Sequence, residues 1–239
     1  MKGIHKGGEP RELIQWKSDN TATPQNLVYG GGGFPGEEVR RALLKEQFHL
    51  CAYTMRRLKT AEACEADGQD TRWSCHVEHI LPQCRNVPGE DIDFANMVAC
   101  FPPSQSSASC EFGAFKKASF DPSAGGFVSP LSAGAEVHFE FNEQGGVNGT
   151  SADGAATIDT LNLRHPILVN DRAAVIKGYL QPKGKKLSAQ AARRLAAEVL
   201  KADAQSCLPA YCVAVAQTAL MHAEREERRA ARMRGKGKP

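Results

Sequence analysis

The sequence contains no apolar run long enough to cross a membrane, since a membrane-spanning helix needs about 20 consecutive apolar residues. Its first ten residues are polar and glycine-rich, and they lack the hydrophobic segment of a secretory signal. A strong excess of charge is also absent, because the net charge is only +3. Such a mild excess permits nucleic-acid binding without arguing for it. We therefore expect a cytoplasmic globular protein with no membrane partner.

A phosphate-binding loop of the nucleotide-hydrolase type is absent as well. Tyr29 is followed by four consecutive glycines, but no Gly-Lys-Ser or Gly-Lys-Thr comes after them. Glycine runs are flexible, so we interpret residues 1–35 as an irregular segment with a linker at the glycines. No internal repeat is present in the sequence.

Cysteine, by contrast, is plentiful. The chain has eight cysteines, and six of them lie between Cys51 and Cys110. In a reducing compartment such a count more often reflects metal ligands and buried thiols than disulfides. The clustering favours a metal site in the middle of the chain, while unrelated core cysteines remain the alternative for several of them.

Apolar periodicity predicts the regular elements. Helical spacing marks four segments, which are residues 36–50, 168–180, 189–202 and a last one from about Pro209. Alternation predicts a strand over 136–142, and His76 to Pro82 is predicted as a strand that ends at the proline. Asp91 to Cys100 is expected to form a loop entering a short helix or turn. The basic residues after His222 are expected to fray.

The dipeptide Glu78-His79 carries the chemistry that we expect. Hydrolysis of a phosphodiester needs a base for the attacking water, a cation for the phosphate and a means of fixing the base. The pKa of a histidine lies near neutrality, and the adjacent carboxylate supplies an oxygen ligand for a divalent ion. Neighbouring residues on a regular strand point oppositely, so the pair serves one site only if the strand ends there, as Pro82 indicates. Asn96 could bridge the returning loop.

Taken in order, these residues resemble the HNH endonucleases. The resemblance implies an α+β fold with a ββα-metal core set between helical flanking segments. It implies that His79 is the general base, that Glu78 is a metal-binding carboxylate and that Asn96 is the middle asparagine, which rigidifies the loop. The catalytic cofactor would then be Mg²⁺ or Mn²⁺.

Many members of that family also bind a structural zinc through two Cys-x-x-Cys pairs. Cys51 matches the first cysteine of the first pair, but Thr54 occupies the position of its partner. Cys100 and Cys110 match the second pair, although they lie ten positions apart. The resemblance thus implies Cys51, Cys100 and Cys110 as candidate ligands of a structural Zn²⁺. The alternatives for a further ligand are Cys64, Cys75, Cys84 and His76, and packing without metal is also open.

The third residue of the HNH motif is missing. It is usually a histidine just after the last cysteine, whereas Glu111 follows Cys110 here. Lys116 fits the lysine that often follows in the family, and lysine is a natural phosphate contact. We predict four nucleic-acid contacts near the centre, which are Arg56, Arg57, Lys116 and Lys117.

The layout of residues 1–180 is similar to a narrower group, the HNH proteins of anti-phage defence operons. These are the PtuB-like subunits of Septu and of Septu-containing retron systems. The matching stretches include Ile4-His5-Lys6, Leu43 to Tyr53, and Leu161 to Arg164. The family pairs such a nuclease with a PtuA-like ATPase of the ABC/SMC type, and retron versions add a reverse transcriptase with its RNA–DNA product. Those partners are implied by the resemblance alone.

We therefore predict four segments along the chain. They are an N-terminal arm and helix that is a candidate partner-docking region (1–50), the nuclease core (51–120), a β/α extension (121–180) and C-terminal helices with a basic tail (181–239). The expected function is that of a defence endonuclease controlled by the ATPase. Because of Thr54 and the missing histidine, the alternative is a zinc-stabilised adaptor that binds nucleic acid or a partner without catalysis.

Overall fold

The computed structural model describes residues 1–69, 73–103 and 110–236, and they form an α+β fold. This confirms the coarse fold class predicted from the sequence. The helices are α1 (Arg11–Asp19), α2 (Gly36–Glu46), α3 (Ala61–Ala66), α4 (Ala114–Lys117), α5 (Ala152–Thr160), α6 (Pro166–Leu180), α7 (Ala189–Glu198) and α8 (Cys212–Lys236). The strands are β1 (His76–His79), β2 (Met97–Cys100), β3 (Phe139–Phe141) and β4 (Val147–Gly149). In the part of the chain that is described, no helix is both long and apolar enough to span a membrane.

Two small antiparallel sheets organise the fold. In the first, β1 pairs with β2 so that Glu78 lies opposite Val98 and His79 lies opposite Met97. In the second, β3 pairs with β4, and Phe141 lies opposite Val147. The short helix α4 follows the first sheet in the sequence, so the order there is strand, strand, helix.

Strand β2 is buried over its whole length, and the side chain of Gln47 covers its outer edge. The Gln47 Oε1 atom accepts a hydrogen bond from the Ala99 N–H at 2.7 Å. Its Nε2 atom donates to the carbonyl oxygens of Ala99 at 2.9 Å and Leu50 at 2.8 Å. A buried strand edge must have its backbone groups paired. For β2, Gln47 does this together with the Ala52 N–H group, which donates to the Ala99 carbonyl oxygen at 3.1 Å, and Lys6 Nζ, which donates to that of Met97 at 2.9 Å. Helix α2 ends just before Gln47 and packs against the strand.

A single cluster of buried apolar side chains runs through all four predicted segments. Leu43, Tyr53, Phe141 and Val215 each come from a different segment, and all belong to this cluster. Each of them is at most 2% exposed. The candidate nuclease core therefore shares its interior with the helices that come before and after it.

The N-terminal segment is more ordered than the sequence predicts. Residues 1–35 are expected to be irregular, but α1 forms within them and buries Leu13 and Trp16. The glycine run is a closed turn rather than a free linker. A Cβ atom at Gly31 would lie 2.2 Å from the carbonyl oxygen of Asn26, so the close approach of the two backbones requires glycine at this position.

Two other elements differ from their predictions. Met97–Cys100 form β2 rather than a loop entering a helix or turn, because a strand buried on both faces shows no apolar–polar alternation. Helix α8 continues to Lys236, although the basic end of the chain is expected to fray. The N-terminal cap predicted for α7 is confirmed, since the Ser188 hydroxyl accepts a hydrogen bond from the Ala191 N–H.

Candidate active site

Strand β1 ends at His79, three residues before Pro82, and within the strand the side chains of Glu78 and His79 leave on opposite faces. His76 and Glu78 are half-buried on one face, while Val77 and His79 are buried on the other. Lys117 of α4 joins the two residues at the end of the strand. Its Nζ atom lies 3.0 Å from Glu78 Oε1 and donates to the carbonyl oxygen of His79 at 3.0 Å.

The imidazole of His79 is held as a neutral base. Its Nε2 atom lies 2.8 Å from the backbone carbonyl oxygen of Asp91. A carbonyl oxygen can only accept, so Nε2 carries the proton and the lone pair of the neutral ring lies on Nδ1. Burial lowers the pKa of His79, against the opposing effect of the Asp91 carbonyl. The ring is therefore uncharged near neutral pH and able to take a proton.

Asn96 fixes the segment that follows His79. Its Oδ1 atom accepts from the Leu81 N–H at 2.7 Å, and its Nδ2 atom donates to the Leu81 carbonyl oxygen at 3.0 Å and to that of Glu90 at 3.1 Å. The Asn96 carbonyl also accepts from the Ile80 N–H at 2.9 Å. One side chain thus ties both ends of the loop 81–92. That loop ends with Asp91 and Ile92, so fixing it also fixes the carbonyl group that holds His79.

Glu78 lies in a partly buried network of polar groups. Burial raises the pKa of Glu78, while the Lys117 ammonium group and the Tyr53 hydroxyl act in the opposite direction. The Tyr53 hydroxyl donates to Glu78 Oε1 at 3.5 Å, and the other carboxylate oxygen lies 4.0 Å from His76 Nε2. Lys117 has no exposed side-chain surface. Its ammonium group therefore neutralises Glu78 inside the protein.

Glu78 and His76 lie on the same face of β1, and they are the donors there that could hold a divalent ion. Glu78 and His76 are neighbouring candidate ligands, but nowhere in the described part of the chain do three His, Cys, Asp or Glu side chains form a metal-sized cluster. Glu111 faces His165 at 3.9 Å, and its side chain is 73% exposed. Mg²⁺ commonly uses one or two protein ligands together with water and substrate phosphate. A divalent ion bound by Glu78 and His76 would therefore take most of its ligands from water and substrate phosphate.

The cysteines implied as zinc ligands come together only in part. Cys51 and Cys100 are buried, and the Cys51 sulfur accepts from the Phe101 N–H at 3.4 Å. Burial opposes ionisation of Cys51, but hydrogen bonds from Cys100, Thr54 and Phe101 together lower the pKa of its thiol to about 6. The Cys110 thiol instead donates to the Phe112 carbonyl oxygen at 3.4 Å.

Three of the four predicted nucleic-acid contacts bond to other groups of the protein, although only Lys117 is buried and Arg57 remains exposed. Arg56 forms an ion pair with Asp171 of α6 at 2.9 Å, and its guanidinium group lies 4.3 Å from the centre of the Phe101 ring. Arg57 donates to the Leu208 carbonyl oxygen at 2.9 Å. Lys117 is fully buried. Lys116 is exposed to solvent.

Sequence reasoning missed Tyr29 and Asp91, which complete the surroundings of His79. The ring of Tyr29 meets His79 edge to face, with centroids 4.7 Å apart and an angle of 88°. The Tyr29 N–H donates to Asp91 Oδ2 at 2.7 Å. Both residues line a cavity of about 890 Å³ between residues 24–29 and the loop 81–92. The only sequence signal for Tyr29 is its place beside the glycine run.

No protein-family model matches the sequence, and no curated protein matches it either. The function must therefore be argued from the residues of the site and their geometry.

Proposed function

We propose that this protein is a metal-dependent endonuclease of the HNH type, with a ββα-metal core and His79 as its general base. The observation that carries the proposal is the fixation of His79 by the Asp91 carbonyl, with Asn96 tying the loop that supplies this carbonyl. The order β1, β2, α4 supports the ββα arrangement. An asparagine that fixes the loop after the base is the role that the resemblance gives to Asn96.

Each residue of the candidate site has its own role in the proposed reaction. His79 Nδ1 takes the proton of a water molecule as the water oxygen attacks phosphorus and the bond from phosphorus to the leaving oxygen breaks. The Asp91 carbonyl then stabilises the resulting imidazolium through its Nε2–H group. A divalent ion held by Glu78, with His76 beside it, would stabilise charge on the phosphate and the leaving oxygen when bound. Lys117 keeps Glu78 ionised and in place.

The biological setting of the proposal comes from the resemblance. We propose that the nuclease is the effector of an anti-phage defence system and that a PtuA-like ATPase controls it. In a retron version, a reverse transcriptase with its RNA–DNA product would belong to the same assembly. Copurification of the chain with the products of its neighbouring genes tests these partners directly.

The test of the nuclease proposal is cleavage by His79→Ala. We expect this variant to lose Mg²⁺- or Mn²⁺-dependent cleavage of duplex DNA, single-stranded DNA or tRNA, with its circular dichroism spectrum unchanged. His5→Ala is the matched control, because the side chain of His5 is exposed. Each protein is assayed with and without the ATPase and nucleotide. Equal cleavage by the His79 variant and the unaltered protein would contradict the proposal.

One observation favours a second candidate function. The Lys117 ammonium group already lies 3.0 Å from Glu78 Oε1, where the proposed catalytic ion would bind. A zinc-stabilised adaptor that binds nucleic acid or a partner without catalysis is consistent with this arrangement. Metal analysis separates the two, since bound zinc with no divalent-dependent cleavage would support the adaptor.

A further inference from the structure

The positive charge of the chain is concentrated at its C-terminal end. Residues 222–239 contain seven lysines and arginines against three glutamates, which gives this stretch a charge of +4. The whole chain carries +3, so residues 1–221 together carry −1. Residues 1–221 therefore have almost no net charge with which to attract a polyanion. The net positive charge that could attract one lies in residues 222–239.

Helix α8 carries the charged stretch away from the body. Its first half is buried, with Val215, Ala219 and Ala223 each fully covered. Beyond Ala223 the helix is almost wholly exposed as far as its side chains are described, and it continues to Lys236. Thirteen helical residues extend about 20 Å at 1.5 Å per residue. This exposed part of α8 forms a projecting arm.

Basic and acidic side chains lie on different sides of the arm. Arg225, Arg228, Arg229 and Arg232 follow a spacing of three, one and three residues, which places them on one side of a helix. Together with Met233 they line a shallow depression of about 510 Å³. We call these four arginines the arginine face.

The acidic residue Glu227 is directed toward the body instead. It forms a two-pronged ion pair with Arg193 of α7, at 2.8 and 2.7 Å. This contact holds one side of the arm against the body, while the four arginines remain exposed to solvent. Arg225 pairs with Glu143, and Arg228 pairs with Glu224 within the helix. In the described part of the chain, no carboxylate forms an ion pair with Arg229 or Arg232.

We propose that the arginine face of α8 binds the phosphate backbone of a nucleic acid. Guanidinium groups match phosphate geometry with two parallel hydrogen bonds, and a row of them contacts successive phosphates. A nucleic-acid partner is favoured over an acidic protein because the proposed nuclease must hold a nucleic acid, while Arg56 is paired with Asp171 and Lys117 with Glu78 at the candidate active site. This last step rests on the proposed nuclease function, because a nuclease with few unpaired cations near its centre needs further ones elsewhere.

The experiment measures binding without cleavage. The His79→Ala chain is titrated into a labelled duplex of about 20 base pairs, followed by fluorescence anisotropy between about 50 and 200 mM salt. Arg229→Gln/Arg232→Gln is compared with Lys185→Gln/Lys186→Gln, which removes the same charge from an exposed loop. Glutamine keeps helix propensity, and circular dichroism checks the helix content.

We expect the arginine double variant to lose about tenfold or more in affinity, and its salt dependence (the slope of log K against log salt) to fall by about 1.8. The lysine control should keep the slope of the parent protein. Equal affinities for the two double variants, an unchanged slope, or no binding of duplex or single strand by the parent would overturn the proposal. Equally tight binding of polyglutamate or of anionic vesicles would overturn it in favour of those partners.

The outcome is separate from that of the nuclease proposal. If His79→Ala still cleaves, the catalytic assignment fails while the binding result stands. If the arginine double variant binds as the control does, the arm proposal fails while cleavage by the unaltered chain stands.

Discussion

Lys117 is the residue on which the candidate site depends most for its electrostatics. Burying the whole side chain of a lysine costs desolvation free energy. The ion pair with Glu78 and the hydrogen bond to the His79 carbonyl oxygen offset this cost. The sequence analysis predicts Lys117 as a nucleic-acid contact, but its burial makes it the internal counter-charge of the carboxylate instead. Lys116, one position earlier, points to solvent.

We expect Lys117→Met to lower the free energy of unfolding by about 3 kcal/mol, because removing one partner leaves Glu78 as a partly buried, unpaired charge. Lys116→Met is the control and should change it by less than about 0.5 kcal/mol. Urea denaturation measures both. If a divalent ion binds Glu78, added Mn²⁺ should restore more stability to Lys117→Met than to the unaltered protein. Equal destabilisation by the two substitutions would contradict the role of Lys117.

Some residues of the candidate site could be predicted from the sequence, and others could not, for a physical reason. Glu78, His79 and Asn96 belong to one hairpin and its loop, so their order along the chain carries information about their contacts. Tyr29 reaches Asp91 across 62 positions. A contact of that kind depends on how the N-terminal turn docks on the hairpin, and no local pattern specifies this.

The N-terminal turn that carries Tyr29 covers one side of the His79 ring. It is ordered through Gly31, and its carbonyl at Gly32 accepts a hydrogen bond from Trp16 Nε1 at 2.9 Å. The ring of Phe34 packs against Trp16 and also against Tyr29. Helix α1 and the glycine turn thus brace the Tyr29 ring against His79.

We expect Gly31→Ala to reduce kcat on the order of 100-fold, because its Cβ would clash with the Asn26 carbonyl and shift Tyr29 by roughly an ångström. Gly32→Ala is the matched control, since a Cβ there meets nothing within 4 Å. Steady-state cleavage kinetics with thermal melting measures both variants. Similar kcat values for the two alanine variants would argue against a positioning role for the turn.

A pair of tyrosine variants separates positioning from folding. Tyr29→Phe keeps the ring and should retain most of the kcat, whereas Tyr29→Ala should repeat the loss of Gly31→Ala with little change in KM. An increase in KM alone, without a change in kcat, would assign the turn to substrate binding instead.

Several elements could be predicted from periodicity, and the exceptions share a cause. Helices α2, α6 and α7 show apolar spacing because each has one solvent face, and the predictions for them agree with the structure within a few residues. Strand β2 has no solvent face, so the alternation that marks a strand is absent. The arm of α8 is exposed on most sides, so its sequence resembles that of a frayed end.

For the molecule as a whole, the candidate nuclease core depends on the C-terminal helices. Arg56 and Arg57 connect the segment after Cys51 to Asp171 and to Leu208. The backbone of Tyr211 bonds to the Met55 carbonyl oxygen at 3.0 Å. The segment boundaries predicted at residues 50, 120 and 180 are therefore not boundaries between separate hydrophobic cores, because the four segments share one core.

Two truncations test this dependence. A chain ending at Leu180 lacks α7 and α8 and should lose cooperative unfolding, because apolar side chains across the shared core become exposed. A chain ending at Ala223 lacks only the arm and its exposed ion pairs, which contribute little. It should melt cooperatively within a few degrees of the full chain. Differential scanning calorimetry distinguishes them, and a cooperative transition in the shorter chain would show that the core is independent.

The contact of Gln47 with Ala99 has a consequence for the behaviour of the protein at high concentration. A two-stranded sheet exposes edges that can recruit strands from other molecules and so begin aggregation. Here one glutamine occupies both the donor and the acceptor of Ala99 on β2. The β2 edge of the hairpin that carries the candidate base is therefore closed to edge-to-edge association by Gln47, Lys6 and the Ala52 N–H group rather than by a third strand.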